Sequence, residues 1–359
     1  MDIHKVVKPH IQTLHRTKDT MDDRLDYLRL DKNERLLPFN HDLFEQFKSS
    51  IRSEHLSAYH ELGSLYRKLS SFLMINENEI LLTAGGDLAI KTVYEVCVKA
   101  GDNVIIHAPS YAMHKVYAHM FQAELRFVNV DENFYPDIEE MLRKIDKKTK
   151  LFVMENPNGF VGTPASIEKL EYCAKNLIEY DILLFIDEAY YYIQNKEPHV
   201  ESLIRKYPNI VICQTFSKAH GLAGSRVGYI AANQNMMQYL SNVRPVHEIT
   251  GLSAFAAEWV IDHPEIINEY TSSIKVSKQF LFQELEKQNL HFKDTAANFI
   301  LVFLPDEGRT KALRARLRNH KILIRRPFEE SYLNGWTRVC VGSLDDSVIF
   351  INALKHELK

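Results

Sequence analysis

Short runs of apolar residues that stop abruptly at polar, glycine or proline residues constrain this chain most, at 104–109, 151–154, 182–186 and 210–213. A strand covered on one face only would alternate, so near-continuous apolar runs of this length read as strands buried on both faces of a parallel sheet. Helix-like stretches at 167–180 and 198–206 lie between or beside them. Strand alternating with helix predicts an α/β fold with a mostly parallel central sheet and helices on both sides. The tail reads differently. A long helix over 266–287, strand-like runs at 299–303 and 337–341, a basic helix over 310–319 and a closing helix predict a smaller α+β domain. The expected division is 1–40 as an N-terminal segment packing with the small domain, 41–260 as the large domain and 261–359 as the small one.

The bulk properties exclude several classes. In 359 residues, a formal net charge of −3 with 25% charged residues offers no basic surface for nucleic acid or anionic lipid. The four cysteines, 97, 173, 213 and 340, are scattered, which argues against a disulfide framework or zinc site and fits a reducing cytoplasm. The sixteen histidines show no metal-binding spacing, so no metal is expected. The apolar run at 182–186 is far too short to cross a bilayer, and the first residues carry no apolar signal core.

In open α/β sheets ligands bind beyond the carboxyl ends of the strands. Four polar groups follow the strands here: His107 to Tyr111, Glu155 to Asn158, Asp187 to Tyr190 and Gln214 to Lys218. The last continues through a glycine-rich turn to Arg226. A lysine amine beside Thr215 and Ser217, with an arginine following, suits a phosphorylated aldehyde: the amine condenses with the carbonyl, and the hydroxyls and guanidinium meet the phosphate. Asp187 at a neighbouring strand end could keep a pyridine nitrogen protonated, making the ring an electron sink. Tyr190 could bond the ring's phenolic oxygen, and Tyr111 could stack on a flat ring. Gly86 and Asp87 open a helix-like run, where free backbone N–H groups bind anions; an aspartate there also serves as a plain helix cap.

Taken together these residues resemble the fold-type I pyridoxal-phosphate-dependent aminotransferases of class I and II, most closely those acting on histidinol phosphate. Leu30 to Glu34, Ser57 to Tyr59 with 65–69, Asn298-Phe299, 322–325 and 337–342 extend the resemblance over nearly the whole chain. It implies that Tyr59 reaches the cofactor phosphate of a partner subunit in a homodimer, that Arg325 and Arg338 hold a substrate phosphate or carboxylate, and that Asn33 lies at the substrate. Arg338 also stands inside an apolar strand, where an unpaired charge is costly and a ligand anion would satisfy it. Two departures stand out. Gly159 occupies the position of an asparagine that contacts the cofactor's phenolic oxygen, with Asn158 beside it as the candidate replacement. His247 and Glu248 replace a Tyr-Asn pair in a loop facing substrate, where they either touch substrate or shape the loop.

The resemblance predicts a small-molecule amino donor, glutamate, and a small, phosphorylated keto or aldehyde acceptor. Lys218 would shuttle the proton, Asp187 and Tyr190 would complete the catalytic group, and kinetics would be ping-pong. Decarboxylation of an amino-acid phosphate on the same scaffold, and a non-catalytic protein of this fold, are the alternatives.

Overall fold

A computed structural model describes residues 1–14, 16, 23–195, 197–304 and 307–358. Residues 15 and 17–22 of the expected N-terminal segment lie outside the described residues. The strands, in chain order, are β1 (Leu28–Leu30), β2 (Ile80–Thr83), β3 (Asn103–Ala108), β4 (Glu124–Asn129), β5 (Thr149–Glu155), β6 (Leu183–Asp187), β7 (Ile210–Thr215), β8 (Gly228–Ala232), β9 (Phe292–Lys293), β10 (Phe299–Phe303), β11 (Ile322–Ile324) and β12 (Trp336–Cys340).

Seven of them form the central sheet in the order β2-β8-β7-β6-β5-β3-β4. All neighbouring pairs are parallel except those made by β8, which runs antiparallel to both β2 and β7. The apolar runs are continuous because both faces are covered. Phe152, Met154, Leu184, Ile186, Ile210 and Ile212 enter one core, and Leu151, Val153, Phe185, Val211 and Cys213 enter the other. Period-two side-chain geometry assigns alternate residues to opposite cores.

A second body carries the antiparallel sheet β12-β10-β9 and the two-stranded parallel sheet β1-β11. The helices Glu265–Lys287 and Leu344–Glu357 pack on it through Tyr270, Ile274, Leu281, Phe350 and Leu354. The register of β1 on β11, Leu28 to Ile322 and Leu30 to Ile324, ties the N-terminal segment to this body. Its next residues, Asp31 to Asn33, are thereby delivered to the carboxyl edge of the central sheet.

No helix among the described residues is long and apolar enough to cross a membrane.

Candidate active site

Strand register builds the site. Glu155, Asp187 and Cys213 form one row across β5, β6 and β7, so their side chains leave the sheet on the same side. Gly228 pairs with both Thr83 and Thr215. That shared partner brings the turn before the helix Gly86–Cys97 against the turn that carries Lys218. The approach needs glycine: a Cβ on Gly228 would lie 2.7 Å from the carbonyl carbon of Gly85.

The Lys218 amine donates to the carbonyl of Lys32 at 3.0 Å and lies 5.3 Å from the centre of the Tyr190 ring. Asp187 is 7% exposed. Its Oδ1 accepts the Ala189 N–H at 3.0 Å, and no side chain among the described residues donates to Oδ2. Burial pushes its carboxyl up to about 6, with Asp87 and Glu188 adding repulsion and Lys218 opposing it. Tyr190 is buried, edge-on to Phe299, and its hydroxyl accepts from Asn33 Nδ2 at 2.9 Å. Asn33 holds a left-handed backbone, φ 55°, that asparagine tolerates better than most residues.

At the other end of the site, Arg226 Nη1 donates to Ser217 Oγ at 3.3 Å, and Thr215 Oγ1 reaches the same oxygen at 3.0 Å. Asp87 receives the Tyr111 hydroxyl at 2.8 Å and faces Arg226 at 3.6 Å. Gly85 has φ 81°, and a Cβ there would meet the Arg226 guanidinium at 2.5 Å. A side-chain-free backbone, a helix N-terminus, two hydroxyls and a guanidinium therefore face one another. That set fits a phosphate monoester.

Two further guanidiniums flank Phe160, at 5.4 Å from its ring centre in each case. Arg338 is 5% exposed; it donates to the carbonyls of Gly159 at 2.6 Å and Asp31 at 3.0 Å, while its Nε is buried without a partner. The Arg325 carbonyl accepts from Thr337 Oγ1 at 3.4 Å, while its guanidinium has no hydrogen-bond partner among the described residues. Burial, then repulsion from Arg338 and Arg326, pulls it down to about 10. Arg338 is buried and Arg325 half-buried, and two mutually repelling cations against one ring favour an anionic ligand.

Other expected residues are placed elsewhere. Asn158 is taken up by its own turn. Its Oδ1 accepts the Phe160 and Val161 N–H groups at 2.7 and 2.8 Å, and its Nδ2 donates to the carbonyl of Pro109 at 2.8 Å. The turn occupies the whole amide, so the structure engages Asn158 there rather than in the cofactor contact expected for it. Glu248 is also occupied inside the fold, accepting Arg244 at 2.8 Å and the Tyr66 hydroxyl at 3.2 Å, so it shapes its loop. His247 is exposed and stacks on Tyr59 at 4.3 Å; Tyr59 itself is 85% exposed. His220 is buried against Phe216 and Tyr192, and burial draws it down to about 3, which suits a packing role.

The structure adds residues that sequence reasoning passed over. Glu155 stands among the strand-end groups but drew no role there; it is 4% exposed and sits beside Asp187. Behind Asp187, the buried Glu188 binds His199 at 2.6 Å, Gln214 at 2.8 Å and Asn156 at 3.2 Å, locking β5, β6 and β7 together. Only the apolar neighbourhood of these polar residues hinted at their burial.

The chain is similar to known proteins along nearly its whole length. The model of a family described as aminotransferase class I and II matches residues 27–354. The histidinol-phosphate aminotransferase 1 of Carboxydothermus hydrogenoformans is 30% identical over 89% of this chain and 90% of its own. That of Sulfurisphaera tokodaii is 29% identical over 96% and 93%. Among solved structures, histidinol-phosphate aminotransferase from Sinorhizobium meliloti in complex with pyridoxal-5'-phosphate has a TM-score of 0.89 at 24% identity, covering 98% of this chain and 97% of that one. Aspartate aminotransferase from Thermus thermophilus with maleate has a TM-score of 0.82 at 18% identity, covering 98% and 99%. At these identities the two structures speak for the fold.

Proposed function

The chain belongs to the class I and II aminotransferases, and on that premise we propose that it uses pyridoxal phosphate to move an amino group from L-glutamate to a small phosphorylated carbonyl compound of the histidinol-phosphate type. The observation that carries the reading is the pair of guanidiniums, buried Arg338 and half-buried Arg325, that both lie against the Phe160 ring. One site must accept two different partners in turn, and anion recognition is what glutamate and a phosphorylated acceptor share. Arg338 is assigned to the donor carboxylate through its unpartnered Nε, and Arg325 to the second acidic group.

The cofactor fits the residues present. Gly86, Asp87, Thr215, Ser217 and Arg226 would hold its phosphate end, Asp187 Oδ2 its ring nitrogen, Tyr190 its phenolic edge and Tyr111 its face. When bound, it supplies an aldehyde that condenses with primary amines and a protonated ring that accepts the electron pair of a broken Cα–H bond. Lys218 provides the tethering amine. Once released, the same Nζ would take the proton from the substrate Cα and return it two bonds away, at the former aldehyde carbon. Asp187 keeps a negative charge opposite the ring nitrogen as charge builds at Cα. Asn33 places the Tyr190 hydroxyl. The exposed Tyr59–His247 stack is assigned to the partner's site in a homodimer.

The relatives are aminotransferases by name, so neither decarboxylation nor a non-catalytic role is adopted. The test is the absorbance of the holoenzyme before and after glutamate. Loss of the lysine-bound cofactor band with release of 2-oxoglutarate supports the reading. Carbon dioxide in place of 2-oxoglutarate would overturn it in favour of decarboxylation.

A further inference from the structure

Gly159 lies at the edge of the site, packed closely against a carboxyl group and a phenol ring. A Cβ built on Gly159 would lie 3.3 Å from Tyr190 Cε2, the ring carbon beside the one bearing the hydroxyl, and 3.4 Å from Glu155 Oε2. The Glu155 carboxyl and the phenol edge of Tyr190 therefore border the same space. Glu155 is also the register partner of Asp187, so both carboxyls leave the sheet in the same direction. It is fixed in place. The Tyr111 N–H donates to Oε1, the Gly159 N–H donates to Oε2 at 2.8 Å, and its own N–H donates to His107 Nε2 at 3.1 Å.

Resting on the cofactor reading above, we propose that Glu155 is a further cofactor-contacting residue: as a neutral carboxylic acid it donates a hydrogen bond to the phenolic oxygen of the ring, beside Tyr190 and next to Gly159. Two carboxylates on adjacent strands this deeply buried cannot both stay ionised cheaply. Asp187 faces the cation and keeps the charge; Glu155 keeps the proton. Burial first, and then Asp187, push the Glu155 carboxyl up to about 8, against the two N–H donors and the more distant Arg338. The titratable groups around it are Asp187, Tyr190, Tyr111, Arg338, His107 and Tyr94. A protonated carboxyl has a donor to give where an asparagine amide would otherwise be needed.

The experiment is a pH titration of the visible absorbance of the holoenzyme, which reads protonation of the lysine–cofactor linkage. A donor to the phenolic oxygen weakens that oxygen's hold on the linkage proton. In Glu155→Ala the apparent pKa should rise by about one unit, the worth of one neutral hydrogen bond. Glu155→Gln, which keeps a donor of similar size, should stay within about a few tenths of wild type. Adding Gly159→Asn to Glu155→Ala should return the value toward wild type, since Gly159 does not need a left-handed backbone. A fall in either single variant means an ionised carboxylate was removed and overturns the proposal. An unmoved pKa in Glu155→Ala assigns Glu155 to packing and overturns it as well. No visible band in wild type with added pyridoxal phosphate overturns the cofactor reading, and this proposal with it.

Discussion

Asn33 donates its side-chain amide to the Tyr190 hydroxyl at 2.9 Å, linking the N-terminal segment to the end of a central strand 157 residues later. Because the amide donates, the phenol keeps its own proton to give into the site. Tyr190→Phe should therefore lower cofactor affinity about tenfold, the worth of one hydrogen bond, measured by equilibrium dialysis. Asn33→Ala should produce a smaller loss of the same kind, since it leaves the phenol in place but unaimed.

Lys218→Ala removes both the tether and the proton shuttle. Single-turnover transamination should fall by at least about 10³-fold. A variant that still binds cofactor and reacts at near wild-type rate would overturn the assignment.

Asp187→Asn keeps the size of the side chain and removes the charge opposite the ring. The chemical step should slow by about 10²- to 10³-fold with little change in thermal stability. Stopped-flow absorbance after mixing with glutamate separates that step from binding.

Arg325 and Arg338 should separate kinetically. Arg338→Lys loses the planar contacts to the Gly159 and Asp31 carbonyls, and KM for glutamate should rise on the order of 10- to 100-fold. Arg325→Met should weaken the phosphorylated acceptor far more than glutamate. Because the folded protein holds Arg325 below its ordinary pKa and its guanidinium has no hydrogen-bond partner among the described residues, the same change should stabilise the ligand-free protein by about 1 kcal/mol. Chemical denaturation of the two proteins side by side reads that difference.

The pH dependence of stability has a definite sign. The folded protein raises Glu155 from 4.5 to about 8, so between those values it binds a proton that the unfolded chain does not. Stability from this group is therefore lost as pH rises through that window. In the cofactor-free protein, Glu155→Gln should gain stability relative to wild type between pH 5 and pH 9, on the order of 4 kcal/mol. Melting curves at the two pH values check it; an equal offset at both would show that the carboxyl does not titrate there.

Much of this molecule was written along the chain. Buried parallel strands need apolar side chains on both faces, so the runs at 151–154, 182–186 and 210–213 marked β5, β6 and β7 within a few residues. Polar residues directly after such strands have one sheet edge to occupy, which made Lys218, Asp187, Tyr190 and Arg226 legible as a group. What the chain could not announce was direction. Whether Asn158 or Glu155 faces the site depends on strand register and on which backbone groups a turn must satisfy: Asn158 is drawn into the turn after β5, while pairing with Asp187 turns Glu155 toward the site. The placing of Arg325 and Arg338 against Phe160, and the reach of Asn33 to Tyr190, depend on strands β1, β11 and β12 folding back against the central sheet. Local patterning determined the elements and their polar ends, because burial of a strand is a property of its own residues. Contacts between distant segments decided the chemistry, because they arise only when the two bodies pack.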